Sequence, residues 1–140
     1  MPGAIIKYRK RLSGPLLDRI DLHVDVPPVK EESLDLTTKA ESSTRVRERV
    51  SRARVRQLRR FKNSRVKTNG EMSSAQVKSY CQLTSSSQNL LKQAISKLSI
   101  SARSYFKVIK VAQTIADLNG KDKIEVSDIA EALQYRAKED

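Results

Sequence analysis

Five arginines in this chain are spaced as a helix would need them to make one charged edge. Arg45, Arg49, Arg52, Arg56 and Arg59 recur at intervals of four, three, four and three residues. At about 100° per residue they fall on one arc, with Arg60 at its margin. The arc runs about 21 Å at 1.5 Å per residue. A guanidinium group stays charged and donates in a planar fork that matches phosphate. A charge run is most often a solvated helix face. Here residues 44–67 set nine Arg and two Lys against the single carboxylate of Glu48, a net of +10, while the whole chain carries +12. The excess therefore belongs to one segment, and it fits a local anionic partner, nucleic acid first and an acidic neighbouring domain second. Val46, Val50, Ala53 and Phe61 occupy the adjacent arc, with Gln57 among them, and are expected to dock on the rest of the protein.

Other chemistry is scarce. One His and one Cys cannot supply the usual four ligands of a zinc site. His23 falls on the polar side of an alternating segment, where solvation is its ordinary fate, and no nucleophile has a plausible His partner. Gly120-Lys121 is the one Gly-Lys pair, but Ile115 stands where a phosphate-cradling loop needs its first glycine and Asp122 where it needs Ser or Thr. On its own the chain is expected to catalyse nothing. Arg103 follows a candidate helix cap, Ser101. A cation in a first helical turn opposes the helix dipole, and an anion bound there would be favoured by both dipole and side chain. Taken alone, a solvated Arg103 remains the plainer reading.

The elements that must position these groups are mostly helical. A long helix is expected from Ser43 to about Val66, broken by Asn69-Gly70. Ser73 with Gln76 marks a capping box for a short helix to about Leu83, and Ser85 with Gln88 repeats the signal. Ser101 caps a further helix with Tyr105, Val108, Ile109, Ala112, Ile115 and Ala116 inward, and Asn119-Gly120 stops it. Val126-Ser127 opens the last, with Ile129, Ala130 and Leu133 inward. No apolar run is long enough to span a membrane, the N-terminus lacks the features of a secretory signal, and a single cysteine suits the reducing cytoplasm.

One segment does not fit a helical domain. Ile20, Leu22, Val24 and Val26 alternate with Asp21, His23 and Asp25, and Pro27-Pro28 closes the run. That is the pattern of a half-buried strand. Only "AII" at 4–6 and "KIEV" at 123–126 are otherwise strand-like, and an isolated strand is not stable in water. Either the strand adds to another molecule or, the favoured expectation, it is an orphan whose sheet lies in a part of the protein upstream.

"YRKRLSGPLLDRIDLHVDVP" (8–27), "ESSTRVRERVSRAR" (41–54) and "LSISARSYFKVIKVAQTIADLNGKDKIEVSDIAEALQYR" (98–136) resemble, in order, the C-terminal part of magnesium-chelatase-like AAA+ ATPases of the ComM/YifB type. The resemblance implies a mainly α fold: a small helical bundle, the C-terminal lid, over residues 43–140. Residues 1–42 would be a poorly ordered remnant of the ATPase core plus a connector, with the Walker motifs upstream. It implies that Arg19 in "LLDR" is an arginine finger acting in trans on the neighbouring subunit's nucleotide, with Asp18 supporting it, and that Arg103 in "LSAR" is the sensor-2 arginine contacting ATP. ATP and magnesium would serve the complete protein and neither this chain alone. The implied partners are the upstream core, neighbouring subunits of a ring, expected to be a hexamer, and DNA. The arginine-rich helix (Arg45, Arg49, Arg52, Arg56, Arg59) favours work on DNA. A motor subunit of a metal chelatase, or a free-standing basic helical protein that binds nucleic acid, are the other readings.

Overall fold

The computed structural model describes residues 19–28 and 40–136. Five helices account for most of the latter: α1 (Ser43–Arg60), α2 (Ser74–Tyr80), α3 (Ser85–Leu98), α4 (Ala102–Leu118) and α5 (Val126–Gln134). A single 3₁₀ turn, Asn69–Glu71, lies between α1 and α2. The fold is mainly helical, and the described residues contain no sheet.

The first four helices start where a side chain satisfies a free N–H of the first turn. Ser42 accepts from the Arg45 N–H, Thr84 from Ser87 and Ser101 from Ser104. Ser73 and Gln76 form the reciprocal capping box before α2, and before α5 the Asp128 carboxylate accepts from the Glu125 N–H at 2.9 Å. α4 is the central post. Val108, Ile109, Ala112, Ile115 and Ala116 are buried on it, and it packs against α1, the 3₁₀ turn, α2 and α5. Phe61, Met72, Val77, Cys81, Leu91, Ile124, Ile129 and Ala132 complete the core. Asn119 and Gly120 end α4 as the sequence implies, Gly120 at φ +74°.

Several expected boundaries move, and in each case tertiary contacts move them. α1 stops at Arg60 rather than Val66, because Phe61 turns into the core while its N–H still bonds to the Gln57 carbonyl at 2.9 Å. Asn69-Gly70 does not break that helix but sits in the 3₁₀ turn, with Asn69 buried. α2 ends at Tyr80, not Leu83. Leu83 leaves the helical path to make an isolated parallel bridge with Ile124. Ile124 donates to the Gln82 carbonyl at 2.8 Å and accepts from Thr84 at 3.1 Å. The cap of α3 is therefore Thr84, one residue before the expected Ser85. On α5 Ala130 is exposed, and Ala132 takes the inward place beside Ile129.

The segment 20–26 forms no strand among the described residues, and Ile20, Leu22, Val24 and Val26 are all exposed. A strand is defined by its partner; here the backbone is held by other means. The His23 N–H donates to the Tyr135 carbonyl at 2.9 Å, and Lys107 Nζ donates to the Ile20 carbonyl at 2.9 Å. The segment thus meets both α4 and the end of α5. Most of residues 1–42, Asp18 among them, lies outside the described residues.

Candidate nucleic-acid interface

α1 is anchored by only part of its length. Ala53, Gln57 and, beyond its end, Phe61 are buried, whereas every residue from Ser43 to Arg52 is exposed. Val46 and Val50, expected to dock, retain 37% and 45% of their surface in solvent. The first turns of the helix, Ser43 to Val50, therefore project into solvent, and Ser51 and Arg52 border the cleft beside the end of α4.

The anchor at the other end is a buried polar hub. Asp117, on the inner side of α4, accepts from Arg60 Nη1 at 2.8 Å and Nη2 at 2.5 Å, from Asn69 Nδ2 at 2.9 Å and from Gln113 Nε2 at 3.4 Å. Asn69 in turn accepts from Arg60 at 2.9 Å, donates to Thr114 Oγ1 at 3.0 Å and receives the Gln57 side-chain carbonyl on its N–H at 3.3 Å. The hydrogen bonds to Asp117 raise the pKa of Arg60 further above its ordinary value, against the opposing effect of burial. A paired, hydrogen-bonded charge is the form in which a buried carboxylate is tolerated. The one local signal of this role is an acidic residue beside the apolar stripe of α4, next to Ile115 and Ala116.

That hub and its neighbours divide the predicted arginine stripe. Arg49 makes a bidentate pair with Glu41 at 2.7 and 3.2 Å, which raises its pKa. Arg56 Nη2 donates to the Lys121 carbonyl at 2.7 Å and to Asp122 Oδ1 at 2.5 Å, while its Nε, shielded from solvent, makes no hydrogen bond but lies 3.9 Å from Asp117 Oδ1. Arg45, Arg52 and Arg59 are exposed and have no carboxylate within ion-pair distance among the described residues. So the stripe of five is three open cations and two that already hold protein acceptors.

Two further arginines, Arg47 and Arg54, are exposed on another side of α1, outside the arc that the spacing of the five defines. The Glu71 carboxyl is held below its usual range mainly by the Lys67 N–H, which donates to it at 2.9 Å, and Arg54 adds a small share. Between α1 and the end of α4 lies an open cleft of about 530 Å³, lined by Ser51, Arg52, Val55, Arg56 and Arg59 on one side and by Leu118, Asn119 and Gly120 on the other.

The two arginines assigned to nucleotide by resemblance are exposed as well. Arg19 stands at the start of the segment tied down by Lys107. Arg103 is the second residue of α4, after the Ser101 cap. Among the described residues neither has a side-chain hydrogen bond or ion pair, and no group of three or more His, Cys, Asp or Glu could hold a metal ion. None of the described helices is long and apolar enough to cross a membrane.

Residues 40–136, which include all five helices and the polar hub, match the family described as magnesium chelatase, subunit ChlI C-terminal. The chain belongs to this family. Residues 1–34 match the family described as magnesium chelatase, subunit ChlI. Competence protein ComM of Haemophilus influenzae is 40% identical over 137 residues, 97% of this chain and 26% of the relative. The uncharacterized protein YifB of Escherichia coli (strain K12) is 36% identical over the same length, again 97% of this chain and 26% of the relative. The uncharacterized protein Rv2897c of Mycobacterium tuberculosis is 31% identical over 130 residues, 93% of this chain and 26% of the relative. The chain thus spans about a quarter of the length of the curated relatives it matches, and its likeness is to the ComM/YifB type within the magnesium-chelatase-like family.

Proposed function

We propose that this domain is the lid of a ring-forming, cytoplasmic AAA+ ATPase and that it brings a cationic helix to DNA while the ATPase core does the hydrolysis. The observation that carries the DNA half is the set of exposed, unpaired arginines on α1. A helix with eight arginines whose purpose was internal pairing would leave few of them open, yet five have no carboxylate partner among the described residues. Family membership supports the ATPase half. Of the cofactors implied, the exposed guanidinium of Arg103 at the start of α4 fits a phosphate of ATP, since dipole and side chain would both attract it. Magnesium, which binds through one or two carboxylates together with nucleotide phosphates, would be held with ATP in the complete protein. ATP supplies the phosphoryl group to be transferred; this chain's contribution is to hold cations at its charge, Arg103 within the subunit and Arg19 towards the neighbour.

The family description itself supports a second reading, a motor subunit of a metal chelatase. That activity gives the open arginines no task, whereas a nucleic acid does.

The test is direct. This chain is titrated with a fluorescent 20-base-pair duplex at several salt concentrations. Weak binding without sequence preference is expected, micromolar or weaker at physiological salt. The slope of log K against log salt should be about −3 to −4, at about −0.9 per phosphate contact. A slope near zero, or no binding at low salt, would remove DNA from the reading and leave the arginines to an acidic surface of the ATPase core.

A further inference from the structure

The open cations of α1 are not one stripe but two rows. Arg45, Arg52 and Arg59 repeat every seven residues, and so do Arg47 and Arg54. Seven residues are about two turns and 10.5 Å of helix. At about 100° per residue the two rows lie roughly 150° apart around the axis. Between them, on the side turned away from Ala53 and Gln57, run Thr44, Ser51, Val55 and Leu58, of which Ser51 and Val55 also line the open cleft beside Leu118 and Gly120. Val55 and Leu58 keep 44% and 56% of their surface exposed although nothing polar is attached to them.

We infer that α1 enters the major groove of duplex DNA, with one arginine row on each sugar-phosphate wall and the neutral strip between them facing the base edges. This rests on the proposal that the helix contacts DNA and names the form and groove. Four observations favour it. The groove is about 12 Å wide and admits one α-helix, and the first half of α1 is exposed on all sides, as insertion requires. Two flanking rows match two walls; a single strand would need only one. The strip of small and aliphatic side chains suits a floor of base edges and thymine methyl groups. Finally, Ser43–Arg60 contains no aromatic residue, so the stacking platform on which single strands are held is lacking. The one carboxylate of the helix, Glu48, falls beside the strip, where the N4 amino group of cytosine is the donor it would meet.

The experiment uses this chain, a 20-base-pair duplex, the same duplex with glucosylated 5-hydroxymethylcytosine filling the major groove, and a single strand of equal length. Arg47→Gln/Arg54→Gln and Arg45→Gln/Arg52→Gln are compared with the parent, and helicity is checked by circular dichroism. Each double substitution should lower the magnitude of the duplex salt slope by about 1.8, two contacts at about 0.9 each. Glucosylation should weaken binding at least tenfold, while netropsin in the minor groove changes it less than twofold. If the duplex is bound but Arg47→Gln/Arg54→Gln and glucosylation both leave binding unchanged, the groove inference is overturned and one-sided backbone contact by DNA remains. Tighter binding to the single strand than to the duplex also overturns it. No binding to any of the three overturns this inference and the DNA reading together.

Discussion

The carboxylate of Asp117 has no solvent-exposed surface and is gripped by both terminal nitrogens of Arg60, a residue 57 positions earlier in the chain. This pair fixes where the last turn of α1 meets the last turn of α4, and hence the direction in which the arginine rod leaves the bundle. Removing one member of a buried pair leaves the other charged and unpaired, at a cost of about 3–5 kcal/mol. Asp117→Ala should therefore lower the urea midpoint severely, since Asn69 Nδ2 loses an acceptor as well. Asp122→Ala, which removes the exposed partner of Arg56, should change stability by no more than about 1 kcal/mol. Similar losses in the two variants would mean that Asp117 is not the hub.

How much of this was legible in advance differs by level. Caps were readable, because Ser73, Gln76 and Ser101 act on N–H groups within three residues of themselves. The stop at Asn119-Gly120 was readable for the same local reason. Leu83 was not, since its departure from the helix depends on Ile124, some forty residues later. Val46 and Val50 carry the signature of a docked face, but periodicity says only which side of a helix is apolar and not whether a surface exists to receive it. Among the candidate site residues, spacing found the arginine arc. It could not tell Arg49 and Arg56, which meet Glu41 and Asp122, from Arg52 and Arg59, because those partners are fixed by the fold.

Cys81 gives a pH dependence with a definite sign. It is buried, and burial pushes its thiol up to about 11, with the Arg60 charge only partly offsetting that. In the unfolded chain the thiol ionises near its ordinary value, about 8.5. Below that value both states are protonated and the thiol has no effect on stability relative to neutral pH. As pH rises from about 9 towards 11 the unfolded state loses its proton first, so it binds fewer protons than the native state and stability falls. The decline attributable to Cys81 should be on the order of 2 kcal/mol. It is measured as the difference in urea unfolding between parent and Cys81→Ala at pH 7 and at pH 10.5. A gap between them that stays constant with pH would show that the thiol is not shielded.

Ser99 closes α3 in the left-handed region, at φ 47° and ψ 41°, and is the one non-glycine residue with positive φ among those described. A β-carbon is strained there, and glycine is the usual occupant of this position. Ser99→Gly should raise stability by a few tenths to about 1 kcal/mol, the relief of strain outweighing the greater freedom of glycine in the unfolded chain. Ser99→Val should lower it, because a branched β-carbon crowds the left-handed conformation further. Thermal unfolding of the two variants gives the order; a destabilised glycine variant would mean that the Ser99 side chain makes a stabilising contact that outweighs the strain.

If the longer protein is the ATPase proposed above, the roles of Arg19 and Arg103 are tested in it. Lys107 lies one turn beyond Arg103 on α4, and its ammonium group donates to the carbonyl of Ile20, the residue after Arg19. The two arginines are thus carried by pieces of structure that are tied together, so a movement of α4 would be felt at Arg19. If Arg19 stabilises charge on the phosphoryl group in a neighbouring subunit, Arg19→Ala should cut turnover by roughly a thousandfold or more. Nucleotide binding should change little. Mixing that variant with one defective in its own phosphate-binding loop should restore part of the activity, because some shared sites then contain one intact half from each. Arg103→Ala should instead weaken nucleotide contact within its own subunit, and no mixture with the loop-defective variant should recover it. The readout is steady-state ATP hydrolysis across mixing ratios, alongside equilibrium binding of a fluorescent ATP analogue. Lost ATP binding in Arg19→Ala, with no recovery on mixing, would make Arg19 a structural residue. Unchanged hydrolysis in Arg103→Ala would return that arginine to the solvated surface on which it otherwise stands.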